Sequence, residues 1–300
     1  MKHPLFSVVA VFACTLPALA SAEDVDFRAL YAAQNGGMSI NIDIPDDDIL
    51  VFTSGDPVIL HGKRLAIAAG VVRVDGEVVI QQFDDSDAAA DSSTLGKAGE
   101  NGAPGQRTSG RNGANGNSGQ VGDGGPKGAN GRMAPAIILD AEQFVGAGKL
   151  SVINDGGRGG KGGKGGRGGN GGTGEEGAKG STSLVDCKAG GGDGGNGGPG
   201  GNGGTGGQGG EGGAGGLIRV SAGLQEAIQT KRLLLSAAGG AGGKGGDGGD
   251  PGDGGAIGAG GSGDGHCGGG RDGSRGQDGA RGDEGTAGPT GKAGTIAKLD

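Results

Sequence analysis

The sequence predicts an all-β base of solenoid-like repeats. Three glycine-rich hairpin inserts leave this base and form a six-arm polyproline II helical bundle, with almost no α-helix. Three observations carry this expectation. Glycine supplies 83 of the 300 residues, about four times the ordinary fraction. The glycines recur every third residue over long distances, as in GGRGGKGGKGGRGGNGGTG at 156–174. The apolar residues are confined to short runs rich in Val, Ile and Leu, and some of these runs repeat in pattern.

Residues 1–22 read as a secretory signal. Lys2 and His3 form a short basic segment, residues 5–16 an apolar one, and Ala20 and Ala22 give the A-x-A pattern that places cleavage before Glu23. The apolar stretch is too short to span a bilayer. A lipobox reading of Cys14 would leave a very short signal. Export places the protein outside the cell, at the cell surface or in a periplasm. It leaves Cys187 and Cys267, and an even count in an oxidising compartment points to one disulfide. Two free thiols are the alternative. The net charge of −8 argues against nucleic acid as a partner, because phosphate neutralisation needs a basic surface.

The β-like runs follow in order: SINIDI (39–44), DILVF (48–52), PVIL (57–60), RLAIAA (64–69), VVRV (71–74) and EVVIQQF (77–83), which make 23–95 an N-terminal β-rich region. AIIL (136–139) and KLSVI (149–153) define a β repeat over 136–155, and LIRV (217–220) and RLLLSAA (232–238) a second over 217–238. TIAKL (295–299) makes 295–300 a terminal strand. Many alternate apolar with polar residues, as half-buried strands do. AIILDA resembles LIRVSA, and KLSVINDGG resembles RLLLSAAGG, and repeated β-units of this kind stack. QEAIQTKR (225–232) reads as a helical turn or a plain connection.

The inserts span 96–131, 156–216 and 239–294, each with a break in register near its middle. Period three is the period of polyproline II, which rises about 3.1 Å per residue, so arms of this length reach about 60–80 Å. That helix has no internal hydrogen bonds, so its backbone must pair with neighbours or water. A GGX arm carries two glycine columns and suits an interior place, whereas a GXY arm carries one and suits the periphery. A collagen triple helix fits poorly, since proline is scarce and the register slips. Plain disorder stands as the other alternative.

The paired stretches at 156–174 and 191–216 resemble the glycine-rich polyproline II helical-bundle proteins, a group that includes the snow-flea antifreeze protein and phage tail-tip adhesins. The resemblance covers about 96–294 of the chain and rests on periodicity. It implies receptor contact by loops at the bundle end, here 106–109, 181–189 and 262–267, with Arg107, Thr108, Leu184, Val185, Asp186, Asp264 and His266 as candidate tip residues. It also implies an ice-binding alternative, for which the column Arg158, Lys161, Lys164, Arg167, Asn170 and Thr173 makes a poor face.

Other motifs yield little. G-x-G-x-x-G occurs here without the strand, helix and βαβ unit that a nucleotide site needs. The β-roll pattern begun at 245–250 meets Gly252 where an apolar residue is required. The Arg281-Gly282-Asp283 triplet is abundant chemistry in this composition. His61 and His266 show no neighbouring ligand cluster in the sequence, so no metal, cofactor or catalytic constellation is expected. Arg158, Lys161, Lys164 and Arg167 form a basic column answered by Asp247, Asp250 and Asp253. The columns are either solvated and mutually paired, or a surface for an anionic polymer such as lipopolysaccharide or acidic polysaccharide. The expected function is that of a secreted, non-enzymatic surface, adhesin or matrix protein. Its partners would be a cell-surface glycan or other copies of itself, through open strand edges. An antifreeze protein and a collagen-like or disordered matrix protein are the alternatives.

Overall fold

The computed structural model describes residues 22–34, 36–107 and 109–299; residues 1–21 of the expected signal and Thr108 lie outside the described residues. After a short strand β1 (Asp24–Asp26) comes a helix, α1 (Phe27–Ala33). Asp26 caps it, its side chain accepting from the Arg28 amide at 3.2 Å. Strands β2 (Ser39–Asp43), β3 (Ile49–Thr53), β4 (Val58–Ile59), β5 (Arg64–Asp75) and β6 (Glu77–Gln81) follow, then β7 (Ile137–Val145) and β8 (Lys149–Ile153). A small hairpin, β9 (Ser181–Thr182) and β10 (Cys187–Ala189), lies inside the second insert. The chain closes with β11 (Leu217–Val220), helix α2 (Gln225–Gln229), β12 (Leu233–Ser236) and β13 (Thr295–Lys298).

These strands build a seven-stranded sheet, β1-β3-β5-β7-β11-β13 with β2 also on β5, a four-stranded sheet, β4-β6-β8-β12, and the two-stranded hairpin. Every pairing in the two larger sheets is parallel. The alternation of SINID turns Ile40 and Ile42 inward and leaves Ser39, Asn41 and Asp43 outside. RLAIAA and VVRV form one strand: β2 pairs with the first half of β5 and β3 with the second. Gly70 sits at the seam, where a Cβ would come within 2.4 Å of the Asp46 carbonyl oxygen. The apolar faces of the two sheets share one core that includes Phe52, Leu65, Ile80, Ile137, Val152, Ile218 and Leu233. Phe27 of α1 closes one end, stacked on Phe52 with ring centroids 4.5 Å apart. Tyr31 packs against this core and donates its hydroxyl to the Ile59 carbonyl at 2.6 Å.

Strand pairing does not stop where the glycine begins. After β8 and β12, the Asn154 amide donates to Ser236, Gly156 to Ala238 and Gly159 to Ala241, all at 2.8–2.9 Å. The next glycine of each pair bonds the other way: Gly160 donates to Ala129 and Gly163 to Pro126, both at 2.8 Å. Each Gly-Gly pair therefore satisfies its two amides on two different neighbours. At several positions the third amide of the period is taken by a side chain. Asn115 Oδ1 accepts from the Asn196 amide and Asn196 Oδ1 from the Ser274 amide, both at 2.8 Å. Asn112 and Asp193 form a second such relay, to Asp193 and Arg271. Asn101 and Asn170 form a third, to Asn170 and Asp253.

The fold class expected from glycine periodicity is corrected by this arrangement. The structure is a globular domain of all-β and α/β character, with three sheets, parallel strand order and long-range packing. It is not a solenoid-like base with a polyproline II bundle set on it. The parallel pairing of the sheets continues into one set of glycine-arm bonds while a second set runs antiparallel, two short helices complete the packing, and the core is larger than the scarcity of aromatic residues suggested. The resemblance to the polyproline II bundle proteins falls with it. A period of three decides which carbonyl each glycine amide meets, and it does not define the domain. The adhesin and antifreeze expectations rested on that resemblance, and the filament and matrix expectations on open strand edges and composition; all are withdrawn with the fold class.

Candidate metal centre

The parallel pairing of β4 with β6 sets Ile59 beside Gln81. The residues that follow each strand are thereby brought together: His61 after one, and Phe83 to Asp87 after the other. The turn after β4 is tight. The Lys63 amide donates to the Leu60 carbonyl at 3.0 Å, and both central residues have positive φ, +51° at His61 and +77° at Gly62. This is the pattern of a type I′ turn. Glycine adopts it freely, whereas His61 is held in a region that side chains other than Asn, Asp and His rarely occupy.

On the facing side, Asp84 and Asp87 cap each other across a short 3₁₀ turn, Asp85–Asp87. Asp84 Oδ1 accepts from the Ser86 amide at 2.8 Å and from the Ser86 hydroxyl at 2.5 Å. Asp87 Oδ2 accepts from the Asp84 amide at 3.3 Å. The Ser86 hydroxyl is the main cause that holds the Asp84 carboxyl below its ordinary value. The Ser86 amide and His61 act in the same direction, against desolvation. Asp84 is thus a carboxylate at neutral pH.

The imidazole reaches across. His61 Nδ1 lies 2.8 Å from Asp87 Oδ2, and the Asp87 side chain is only 9% exposed against 46% for His61. One donor atom from each of His61, Asp84 and Asp87 lies within 4.8 Å of the others. Arg132 closes the far side. Its Nη1 donates to Asp87 Oδ1 at 3.3 Å and its Nη2 to the His61 carbonyl at 3.0 Å. Its guanidinium lies 5.2 Å from the centroid of the Phe83 ring. One imidazole nitrogen and two carboxylates suit a first-row divalent ion such as Zn²⁺. Three protein ligands leave room for water, as catalytic rather than closed sites do.

This cluster corrects the expectation that His61 stands without ligand partners. With it goes the expectation of a protein lacking any catalytic or cofactor-binding capacity. Sequence reasoning missed the cluster because 23 residues separate His61 from Asp84. The available signal was the register of two strands. PVIL and EVVIQQF end together when paired in parallel, and that sets HG against DDSD.

The other sequence-derived residues lie elsewhere. Cys187 and Cys267 are joined by a disulfide, with Cα atoms 5.0 Å apart. It ties β10 to the break of the third insert, beside a Thr182–Asp264 hydrogen bond of 3.3 Å. Leu184 is fully exposed and Val185 is 86% exposed. Asp186 and His266 lie in the same tip. Arg107 is apart from them, paired with Glu175 at 3.3 Å and donating to the Arg111 carbonyl at 2.9 Å. In the charge columns, Lys161 meets Asp247 at 2.9 Å, and Lys164 meets Asp250 and Arg167 meets Asp253 at 2.7 Å. The carbonyl of Arg158 accepts from the Ala89 amide at 3.0 Å.

Among the described residues no helix is long and apolar enough to cross a membrane. No family model matches the chain, and no curated protein matches it. Among solved structures it is similar to an antifreeze protein of the springtail Granisotoma rainieri, described as a nine polyproline type II helical bundle whose crystal waters match the ice lattice. The two are 30% identical over 60% of this chain and 94% of that one, with a TM-score of 0.12. With so low a score the likeness carries neither fold nor function to this chain.

Proposed function

We propose that the chain is a domain that binds a first-row divalent metal ion through His61 Nδ1, Asp84 and Asp87, with a coordination position left open for water. The observation that carries this reading is the convergence of one donor atom from each of His61, Asp84 and Asp87 within 4.8 Å, with the His61 backbone held at positive φ. A strained backbone at a non-glycine residue persists where its surroundings over-determine it, and such residues collect at functional sites. Titration calorimetry with Zn²⁺ tests the reading. One site per chain is expected, and it is lost in His61→Ala, a change that also relieves no buried packing. Heat of binding that is the same in His61→Ala would refute it.

Export supports the same setting. The disulfide favours an oxidising compartment, and residues 1–22 carry the features of a cleaved signal. A secreted or cell-surface location follows from this reading, and N-terminal sequencing of the mature protein tests it. The exposed Leu184 and Val185 on a disulfide-braced tip favour contact with something outside the chain. A glycan array and analytical sedimentation distinguish a cell-surface glycan from a second copy.

A further inference from the structure

Arg132 directly follows the return of the first insert, 45 residues beyond Asp87 in the chain. Its side chain nevertheless touches both ligand-bearing turns. Its two Nη atoms engage two different groups: the Asp87 carboxylate and the carbonyl of His61 itself. The division of Asp87 is the informative detail. Oδ1 faces Arg132 at 3.3 Å, while Oδ2 faces His61 Nδ1 at 2.8 Å. A cation placed between the imidazole and Oδ2 leaves the guanidinium its own oxygen. Gly62 is part of the same fit, since a Cβ there would lie 2.4 Å from Arg132 Nη2. The Phe83 ring holds the guanidinium from one face. The backbone of Arg132 is fixed as well, its carbonyl accepting from the Gly157 amide at 2.8 Å.

Resting on the metal-binding reading above, we propose that Arg132 is the positioning residue of the metal centre, and that through it metal binding is coupled to the docking of the first glycine insert. Arg132 turns Oδ2 of Asp87 toward the metal and fixes the His61 turn by its carbonyl. Groups that orient metal ligands in this way commonly change affinity by about 10–100-fold when removed. The coupling is reciprocal: whatever the ion gains from a docked Arg132, the insert gains from the bound ion. A positive charge acting only as a neighbour would do the opposite, since it repels a dication.

The two roles predict opposite signs. The full chain is titrated with Co²⁺, with the visible absorption of the bound ion as readout, in the wild type, Arg132→Gln and Arg132→Lys. Each variant is first shown to keep its circular dichroism and its disulfide. Expected are binding by the wild type, about 10–100-fold weaker binding by Arg132→Gln, and an intermediate affinity for Arg132→Lys, which keeps the charge and loses the fork. Amide exchange at 128–134 is expected to slow when Co²⁺ is added to the wild type. Wild-type binding with Arg132→Gln equal or tighter overturns the positioning role and leaves the metal site standing. No binding by the wild type overturns both.

Discussion

Lys164 Nζ lies 2.7 Å from Asp250 Oδ2, and Lys161 repeats the contact on Asp247 three residues earlier on each side. Two neighbouring glycine arms therefore hold their charges in step, the basic column of one against the acidic column of the other. The lysine hydrogen bonds come first among the causes that lower the carboxyl values of Asp247 and Asp250 below the ordinary 3.8. A carboxyl lowered by folding stabilises the fold above its unfolded value, and the contribution is lost as pH falls through the folded value. Stability should thus decline below about pH 4. Asp247→Asn with Asp250→Asn should flatten that acid limb by lowering stability modestly at pH 7, where the paired carboxylates contribute, and change little at pH 2, as thermal unfolding across pH 2–7 will show. An acid limb unchanged by the double substitution would contradict the pairing.

The disulfide should matter more than any single ion pair. It closes a sequence separation of 80 residues. In the chain-entropy account, a loop of that size restrains the unfolded chain by about 4–5 kcal/mol. Cys187→Ser should lower the melting temperature markedly, and reductant should do the same to the wild type but nothing further to the variant. Equal melting of oxidised and reduced wild type would remove the bond from the stability of the fold.

Two glycines separate backbone packing from composition. A Cβ at Gly168 would stand 2.0 Å from the Gly201 carbonyl oxygen, whereas at Gly124 the nearest atom is Thr205 Oγ1 at 3.4 Å. Gly168→Ala should cost at least the 1–3 kcal/mol typical of overpacking, roughly, because the obstacle is backbone and cannot swing away. Gly124→Ala should stay within about 0.5 kcal/mol of wild type. Similar losses at both positions in urea unfolding would mean that close approach is not the reason for glycine.

The asparagine relay makes a local prediction. Asn196 Oδ1 accepts from the Ser274 amide at 2.8 Å. Asn196→Ala removes that acceptor and should cost about 1 kcal/mol, while Asn196→Asp keeps it. Amide exchange at Ser274 should quicken in the first variant and not in the second.

Much of the strand content was legible, because it is written in period two. SINID and KLSVI read as half-buried strands and are β2 and β8. The helix α1 was not, since FRALYAA is short and its one fully buried residue is Phe27, which stacks on a strand some 25 residues away in sequence. The glycine arms illustrate a different limit. Periodicity told which residues lack side chains, but not that the amides of both glycines in a pair are used on opposite neighbours. Nor did it tell that several asparagine side chains take a third amide. These facts, like the partnership of His61 with Asp84 and Asp87, depend on the register between segments far apart in the chain. Local sequence pattern carries no record of that register. The hairpin β9–β10 escaped for the simpler reason that its strands are two and three residues long.

The metal centre is tested most directly by anomalous diffraction at the zinc edge from crystals of the full chain grown with Zn²⁺. A single strong peak bounded by His61 Nδ1, Asp84 and an Oδ2 of Asp87 turned from Arg132 is the predicted result, at metal–ligand distances of about 2.0–2.2 Å. Ordered side chains at these three residues with no peak between them, or a peak only at His266, would contradict it.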